Sequence, residues 1–162
     1  MIGYFNFPKE YQELYDSLNS EYLLYCVENG KEEEWNEKYT LYLDYGLKAC
    51  GLDKNTTYYF ELFSRKFETA DSIFSRPLLL RPNIQDIIIP DDRDIIFRRL
   101  HLEGADFSNS TLENVIFDRC NLSGSRFHNT KLSHVHFHNH SCLDNCSFSS
   151  ATLKDVDFYY TY

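Results

Sequence analysis

Residues 102–158 read LEGADFSNSTLENVIFDRCNLSGSRFHNTKLSHVHFHNHSCLDNCSFSSATLKDVDF, and leucine or phenylalanine returns in this stretch every fifth position. The series runs Leu102, Phe107, Leu112, Phe117, Leu122, Phe127, Leu132 and Phe137, then Leu143, Phe148, Leu153 and Phe158, with one extra residue between Phe137 and Leu143. A helix repeats its faces about every 3.6 residues and a strand about every 2, so neither produces this spacing. A fixed repeat of another length means a coil of stacked units, whose walls bind rather than enclose a reaction pocket. A second register accompanies the first. Two residues before each centre stand Leu100, Ala105, Ser110, Val115, Cys120, Ser125, Thr130, Val135, Ser141, Cys146, Ala151 and Val156, and all but Leu100 are small or β-branched.

The unit that combines both registers resembles the A(D/N)LXX pattern of the pentapeptide-repeat family. Ala105-Asp106-Phe107-Ser108-Asn109 and Cys120-Asn121-Leu122-Ser123-Gly124 carry the resemblance, which covers residues 95–158. It implies a right-handed quadrilateral parallel β-helix in which four pentapeptides make one square turn. Strict alternation of Leu and Phe then stacks phenylalanine on one opposed pair of walls and leucine on the other. Phe117, Phe137 and Phe158 are expected to share a column, with Val115, Val135 and Val156 beside them, and the extra residue after Phe137 is expected to bulge one corner. Three coils follow, begun by a partial one at Ile95 and Phe97.

Residues 1–94 differ in kind, and the expected class is α+β: a helical N-terminal segment with a connector, capping a β-helix over residues 95–162. Pro8 suits a first helical position, and Tyr11, Leu14, Tyr15, Leu18, Tyr22 and Tyr25 recur at helical steps before Asn29-Gly30 ends the pattern. A second helix is expected from Glu32 to Cys50, its opening glutamates favoured by the positive end of the helix dipole. A third is expected from about Asn55, carrying Tyr59, Phe63, Phe67 and Phe74 inward and stopping before Pro77. Leu78 to Asp94 reads as a buried connector with a short strand. The helical part is expected to cover the coil's N-terminal end, because an open strand edge invites association. Leu100, large where the other positions are small, fits a first coil adapted to such a cap.

The net charge is −9, and residues 100–162 carry 7 acidic against 4 basic side chains together with all six histidines. Without a basic stripe the chain is a poor direct ligand for nucleic acid or an anionic membrane. An acidic surface suits a basic or nucleic-acid-binding protein partner, although solubility alone also accounts for it. No run of about eighteen apolar residues is present to span a membrane. The start, MIGYFNFPKEYQEL, lacks the basic flank and apolar core of a signal peptide, so a cytoplasmic protein is expected. The five cysteines lack metal-type spacing and are expected to be reduced and packed.

Catalytic templates fail. Asn121-Leu122-Ser123-Gly124-Ser125 has the wrong order for a nucleophile elbow, and neither GxGxxG nor a phosphate loop occurs. Asp91-Asp92-Arg93-Asp94 follows Pro90 and reads as a solvated turn. No enzyme and no cofactor are expected. His134, His136, His138 and His140 alternate along HVHFHNH, and wrapped around a corner they are expected to diverge, so no metal site is assigned. The outward residues of the Phe/Val wall are Ile116, His136 and Asp157 before the centres and Asp118, Arg119, His138, Tyr159 and Tyr160 after them. Isoleucine beside histidine and tyrosine is richer than the Ser, Asn and Thr of an idle wall, and these eight form the candidate partner-binding set.

Three functions fit. One is a non-catalytic inhibitor of another protein, of the immunity, antitoxin or phage counter-defence kind. A second, implied by the resemblance to quinolone-resistance members of the family, is a DNA mimic that protects a topoisomerase such as gyrase, although this coil is short and most of its acid lies in the helical part. A third is a secreted bacterial effector that docks through its repeat coil. The family's pairing through C-terminal ends also leaves open a homodimer across Tyr159, Tyr160 and Tyr162.

Overall fold

A computed structural model describes residues 9–49, 54–55, 63, 66–68, 75–77 and 79–162 of the 162-residue chain. Three helices come first: α1 (Lys9–Ser17), α2 (Ser20–Glu28) and α3 (Glu32–Ala49). The tyrosine spacing from Tyr11 to Tyr25 predicts one helix, and the chain forms two. Asn19 breaks it. Its backbone is extended, at φ −124° and ψ 173°, and its side chain accepts the Tyr22 N–H as the N-cap of α2. Asn19 also pairs with Asn83 as a single parallel bridge, which ties the break to the coil. Beyond Glu28, Asn29 and a left-handed Gly30 end α2 as expected.

The expected third helix is corrected. Phe63 is helical and buried, but Phe67 lies in β1 (Lys66–Glu68), which pairs antiparallel with β2 (Ser75–Pro77). A continuous helix would give Lys66–Glu68 partners within its own turns, whereas here their partners are Ser75–Pro77 of an antiparallel strand. Tyr59 and Phe74 lie outside the described residues.

The remaining strands build the coil. They are β3 (Ile88–Ile89), β4 (Ile95–Arg98), β5 (Thr111–Glu113), β6 (Val115–Asp118), β7 (Lys131–Ser133), β8 (His136–His138), β9 (Thr152–Lys154) and β10 (Asp157–Phe158). They form two four-stranded parallel walls, β4-β6-β8-β10 and β3-β5-β7-β9. Single bridges supply the other two walls: Asn83, Asp106, Arg126 and Ser147 in one ladder, and His101, Asn121 and Cys142 in the other. The coil therefore makes about four turns rather than three, and its first rung reaches back through Ile89 and Asn83.

The expected columns are present. Phe97, Phe117, Phe137 and Phe158 stack at successive centroid distances of 4.9, 4.9 and 5.1 Å. Phe107, Phe127 and Phe148 stack on the facing wall at 4.9 and 5.1 Å, and the two columns meet edge to face inside, as Phe107 does with Phe117 at 6.1 Å. Leu112, Leu132 and Leu153 align in register on a third wall. Ring spacing near 5 Å follows from the separation of adjacent strands, so the repeat length and the column are one constraint seen twice.

Each corner uses a left-handed residue two places after the centre. Asn109, Asn114, Gly124, Asn129, Asn139 and Asn145 occupy such positions, and asparagine and glycine enter that region at least cost. The extra residue after Phe137 is accommodated as a second consecutive left-handed residue, with φ 53° at Asn139 and 67° at His140. The column continues unbroken to Phe158.

Helix α3 closes the coil's N-terminal end with side-chain donors. Trp35 Nε1 donates to the His101 carbonyl at 2.9 Å, Asn36 Nδ2 to the Arg99 carbonyl at 2.7 Å, and Tyr39 Oη to the Glu103 carbonyl at 2.7 Å. Asn36 also accepts the His101 N–H at 2.8 Å. Groups that a bare first rung would leave unbonded are thus satisfied one by one. Leu100 is buried at this junction. Gly104 is left-handed, and a Cβ there would lie 2.1 Å from the Phe63 ring, so only glycine allows that ring its seat. Arg81 ties rungs together by donating to the Gly104 and Gly124 carbonyls at 3.1 and 2.5 Å.

Candidate functional site

The wall β4-β6-β8-β10 presents its outward side chains in two ranks. Registration places Ile96, Ile116, His136 and Asp157 in one rank and Arg98, Asp118 and His138 in the next. The inward residues between them, Phe97, Phe117 and Phe137, are fully buried, which fixes the outward ones by alternation. The Tyr159 N–H donates to the Phe137 carbonyl at 2.9 Å, and the ring stands edge-on to His138 at 6.1 Å. Arg119 turns the corner beside Asp118 with φ 55°. Tyr160 packs on Tyr159 at 4.4 Å and on His140 at 6.1 Å. All eight residues singled out in the sequence are thus neighbours on one wall and its corner. Ile116 is half-buried rather than fully exposed. Ile96, between the inward Ile95 and Phe97, extends the apolar rank by one rung.

The wall's polar groups are already organised. Asp157 receives His136 through Nδ1 at 2.7 Å and His138 through Nε2 at 3.0 Å. Partial desolvation pushes the Asp157 carboxyl up, yet the hydrogen bonds and charges of His136 and His138 together hold it below the usual carboxylate range. Asn139 Nδ2 donates to Asp118 at 2.6 Å. The expectation that the histidine run diverges is corrected in part. His136 and His138 belong to β8, where alternate residues share a side, so they converge on Asp157. Corners on either side of β8 do separate the others: His134 faces Asp155 at 3.6 Å and His140 meets Tyr162 Oη at 2.9 Å.

Buried thiols offer no nucleophile. Burial pushes Cys120 up to about 12 and Cys146 up to about 11, so both remain protonated near neutrality. The four described cysteines, Cys26, Cys120, Cys142 and Cys146, are free. Two open grooves lie on the helices, one along Glu33, Asn36, Glu37, Thr40 and Leu41 and one along Ser17, Asn19, Glu21, Tyr22 and Tyr25.

Residues 101–139 match the model of the pentapeptide repeats family in eight copies. The coil is a pentapeptide-repeat β-helix. Its ladders continue past the matched segment on both sides, to Asn83 and to Phe158. Pentapeptide-repeat solenoids are in general structural or binding modules rather than catalysts, and members of the family bind protein partners such as gyrase. No curated protein matches the chain. Among the described residues no helix is long and apolar enough to cross a membrane.

A titrating contact sits where the pentapeptide-repeat coil meets its cap. Glu103 is buried, with Oε1 at 2.8 Å from His101 Nδ1. The Glu103 hydrogen bond raises His101 above its ordinary value, against the opposing effect of burial. A raised folded value means that the stabilisation is complete below the unfolded value, about 6.5, and is lost as pH rises through the folded one. The stability difference between the wild-type chain and His101→Gln should therefore shrink from about pH 5.5 to about pH 8.5, read as thermal midpoints in one buffer series. A difference that grows with pH would remove this account of the pair.

Proposed function

We propose that the chain is a non-catalytic inhibitor that binds another protein through the β4-β6-β8-β10 wall, in the manner of an immunity protein, antitoxin or phage counter-defence factor. The observation that carries this reading is the wall itself. A half-buried isoleucine rank, two histidines, Asp118, Asp157 and two tyrosines lie contiguous on a rigid scaffold. Such a mixture of apolar centre and hydrogen-bonding aromatic groups is what interfaces concentrate. The net charge of −9 favours a basic partner.

DNA mimicry is the weaker reading. Four rungs at about 4.8 Å rise only about 15–20 Å, the length of about five or six base pairs. The wall's carboxylates are also engaged, Asp157 by two histidines and Asp118 by Asn139. A protector built on phosphate imitation needs a longer row of free carboxylates. Purified topoisomerase in a supercoiling assay separates the two readings. Protection of that enzyme at stoichiometric ratio would favour mimicry.

The test of the proposal is affinity capture from the source cell, followed by inhibition of the captured protein's activity at a one-to-one ratio. Asp118→Lys, Asp157→Lys, Tyr159→Ala and Tyr160→Ala should each weaken binding by at least about tenfold, about 1.4 kcal/mol, if they lie at the centre of the contact. Lys131→Glu, on the neighbouring wall, should leave it unchanged. Full binding by all four wall variants would remove this wall as the docking surface.

A further inference from the structure

The histidine pair and Asp157 do more than decorate the wall. One ring nitrogen from each of His136 and His138 and a carboxylate oxygen of Asp157 all lie within 4.8 Å of one another. We propose that His136, His138 and Asp157 form a surface site for one divalent transition-metal ion of the zinc class, with a coordination position left open to solvent.

Three observations converge on it. First, the donor set is two imidazoles and one carboxylate, which suits zinc, cobalt, nickel or copper and is poor for the all-oxygen shells of calcium and magnesium. Second, the donors already meet: both imidazoles reach the one carboxylate, His136 Nδ1 to Oδ2 at 2.7 Å and His138 Nε2 to Oδ1 at 3.0 Å. Ligands at about 2.0–2.1 Å from a tetrahedral centre stand about 3.3 Å apart, close to these contacts, and metal entry replaces each histidine–carboxylate hydrogen bond, the proton moving to the other ring nitrogen or, from an imidazolium, to solvent. Third, the scaffold is stiff. His136 and His138 flank Phe137, which is fully buried and stacked between Phe117 and Phe158, and Asp157 is registered against His136 by the β8–β10 ladder. Preorganised donors lose little freedom on binding.

The site is local to these three residues. The remaining histidines have other partners: His101 with Glu103, His128 with Ser147, His134 with Asp155 and His140 with Tyr162. Asp118, beside His138 in register, gives one oxygen to Asn139. Three protein ligands leave the next position to water or to a histidine or carboxylate of a bound macromolecule, since the wall faces outward there.

The test uses the full chain, freed of metal by chelator and kept reduced, titrated with Zn²⁺ by calorimetry and with Co²⁺ by visible absorption. One equivalent should bind, with the intense d–d bands of a four-coordinate cobalt site. His136→Gln, His138→Gln and Asp157→Asn should each cost at least about tenfold in affinity, as loss of a ligand or of its support does. His128→Gln and Cys142→Ser should bind as the wild type does. Long-range ¹H–¹⁵N spectra should shift Nδ1 of His136 and Nε2 of His138, a readout that does not depend on any variant folding. Absence of binding at millimolar zinc, or equal binding by the three ligand variants, would overturn the site. So would zinc-induced shifts confined to other histidines.

Discussion

Phe117→Ala should destabilise the chain by about 3–5 kcal/mol, seen as a lower denaturant midpoint with an unchanged slope. The ring is fully buried and has Phe97 and Phe137 above and below it, each at 4.9 Å. It also meets Phe107 and Phe127 edge to face at 6.1 and 6.2 Å. Removing it opens a void in the middle of the column, which cannot collapse because strands on both sides are held in register. The same change at the end of the column should matter much less. Phe158 is 44% exposed and has one stacking neighbour within its column, Phe137, so Phe158→Ala should cost on the order of 1 kcal/mol. A gradient along one column distinguishes a stacked coil from a globule that merely contains many phenylalanines. Equal losses at Phe117 and Phe158 would contradict the stacking.

Trp35→Ala should be comparably damaging, about 3–5 kcal/mol, for a different reason. The indole is fully buried between Tyr22 and Tyr39, at 5.7 Å from each, and it is the donor to the His101 carbonyl. Its loss combines a cavity with an unbonded acceptor at the first rung. Two conservative variants separate these parts. Trp35→Phe keeps most of the packing and should cost about 1–3 kcal/mol for the orphaned carbonyl. Tyr39→Phe, which strands the Glu103 carbonyl, should fall in the same range. Loosening the cap also bares strand edges, so Trp35→Ala should raise light scattering on heating more than Phe158→Ala does. If Trp35→Ala were neutral in both measurements, α3 would not be the cap described here.

Much of the coil could be read from residues alone because period five belongs to no common element. The Leu/Phe alternation placed every column from Phe107 to Phe158 on its wall. The first rung was harder. Ile84 and Ile89 stand five apart, but Phe97 follows Ile89 by eight positions across Pro90 and Asp91-Asp92-Arg93-Asp94, and the insertion breaks the count. In the helical part the even tyrosine spacing masked Asn19, since a cap depends on backbone geometry that a hydrophobic pattern does not report. Trp35 and Tyr39 fall at helical spacing, yet the carbonyls they reach lie more than sixty residues away and follow from docking.

The wall shows the same division. Its members were legible because outward positions follow from the inward register, and all eight are neighbours. The convergence of His136 and His138 on Asp157 was not, because the even alternation from His134 to His140 does not show where the strand stops and the corners begin. The strand holds only His136 to His138, and the left-handed corners lie on either side of it, at His134 before it and at Asn139 and His140 after it. Opposite the cap, among the described residues, Leu153 and Phe158 of the last rung stay partly exposed, with Tyr159, Tyr160 and Tyr162 around them.

Site-specific photo-cross-linking tests most directly whether this wall is the docking surface. A photoreactive side chain would replace, one at a time, Ile116 and Tyr159 on the wall, His128 and Lys131 on two other walls, and Glu37 on α3. Cross-links from the Ile116 and Tyr159 positions to a single partner, with none from the other three, are the predicted result. A partner captured from His128, Lys131 or Glu37 and not from the wall would contradict it.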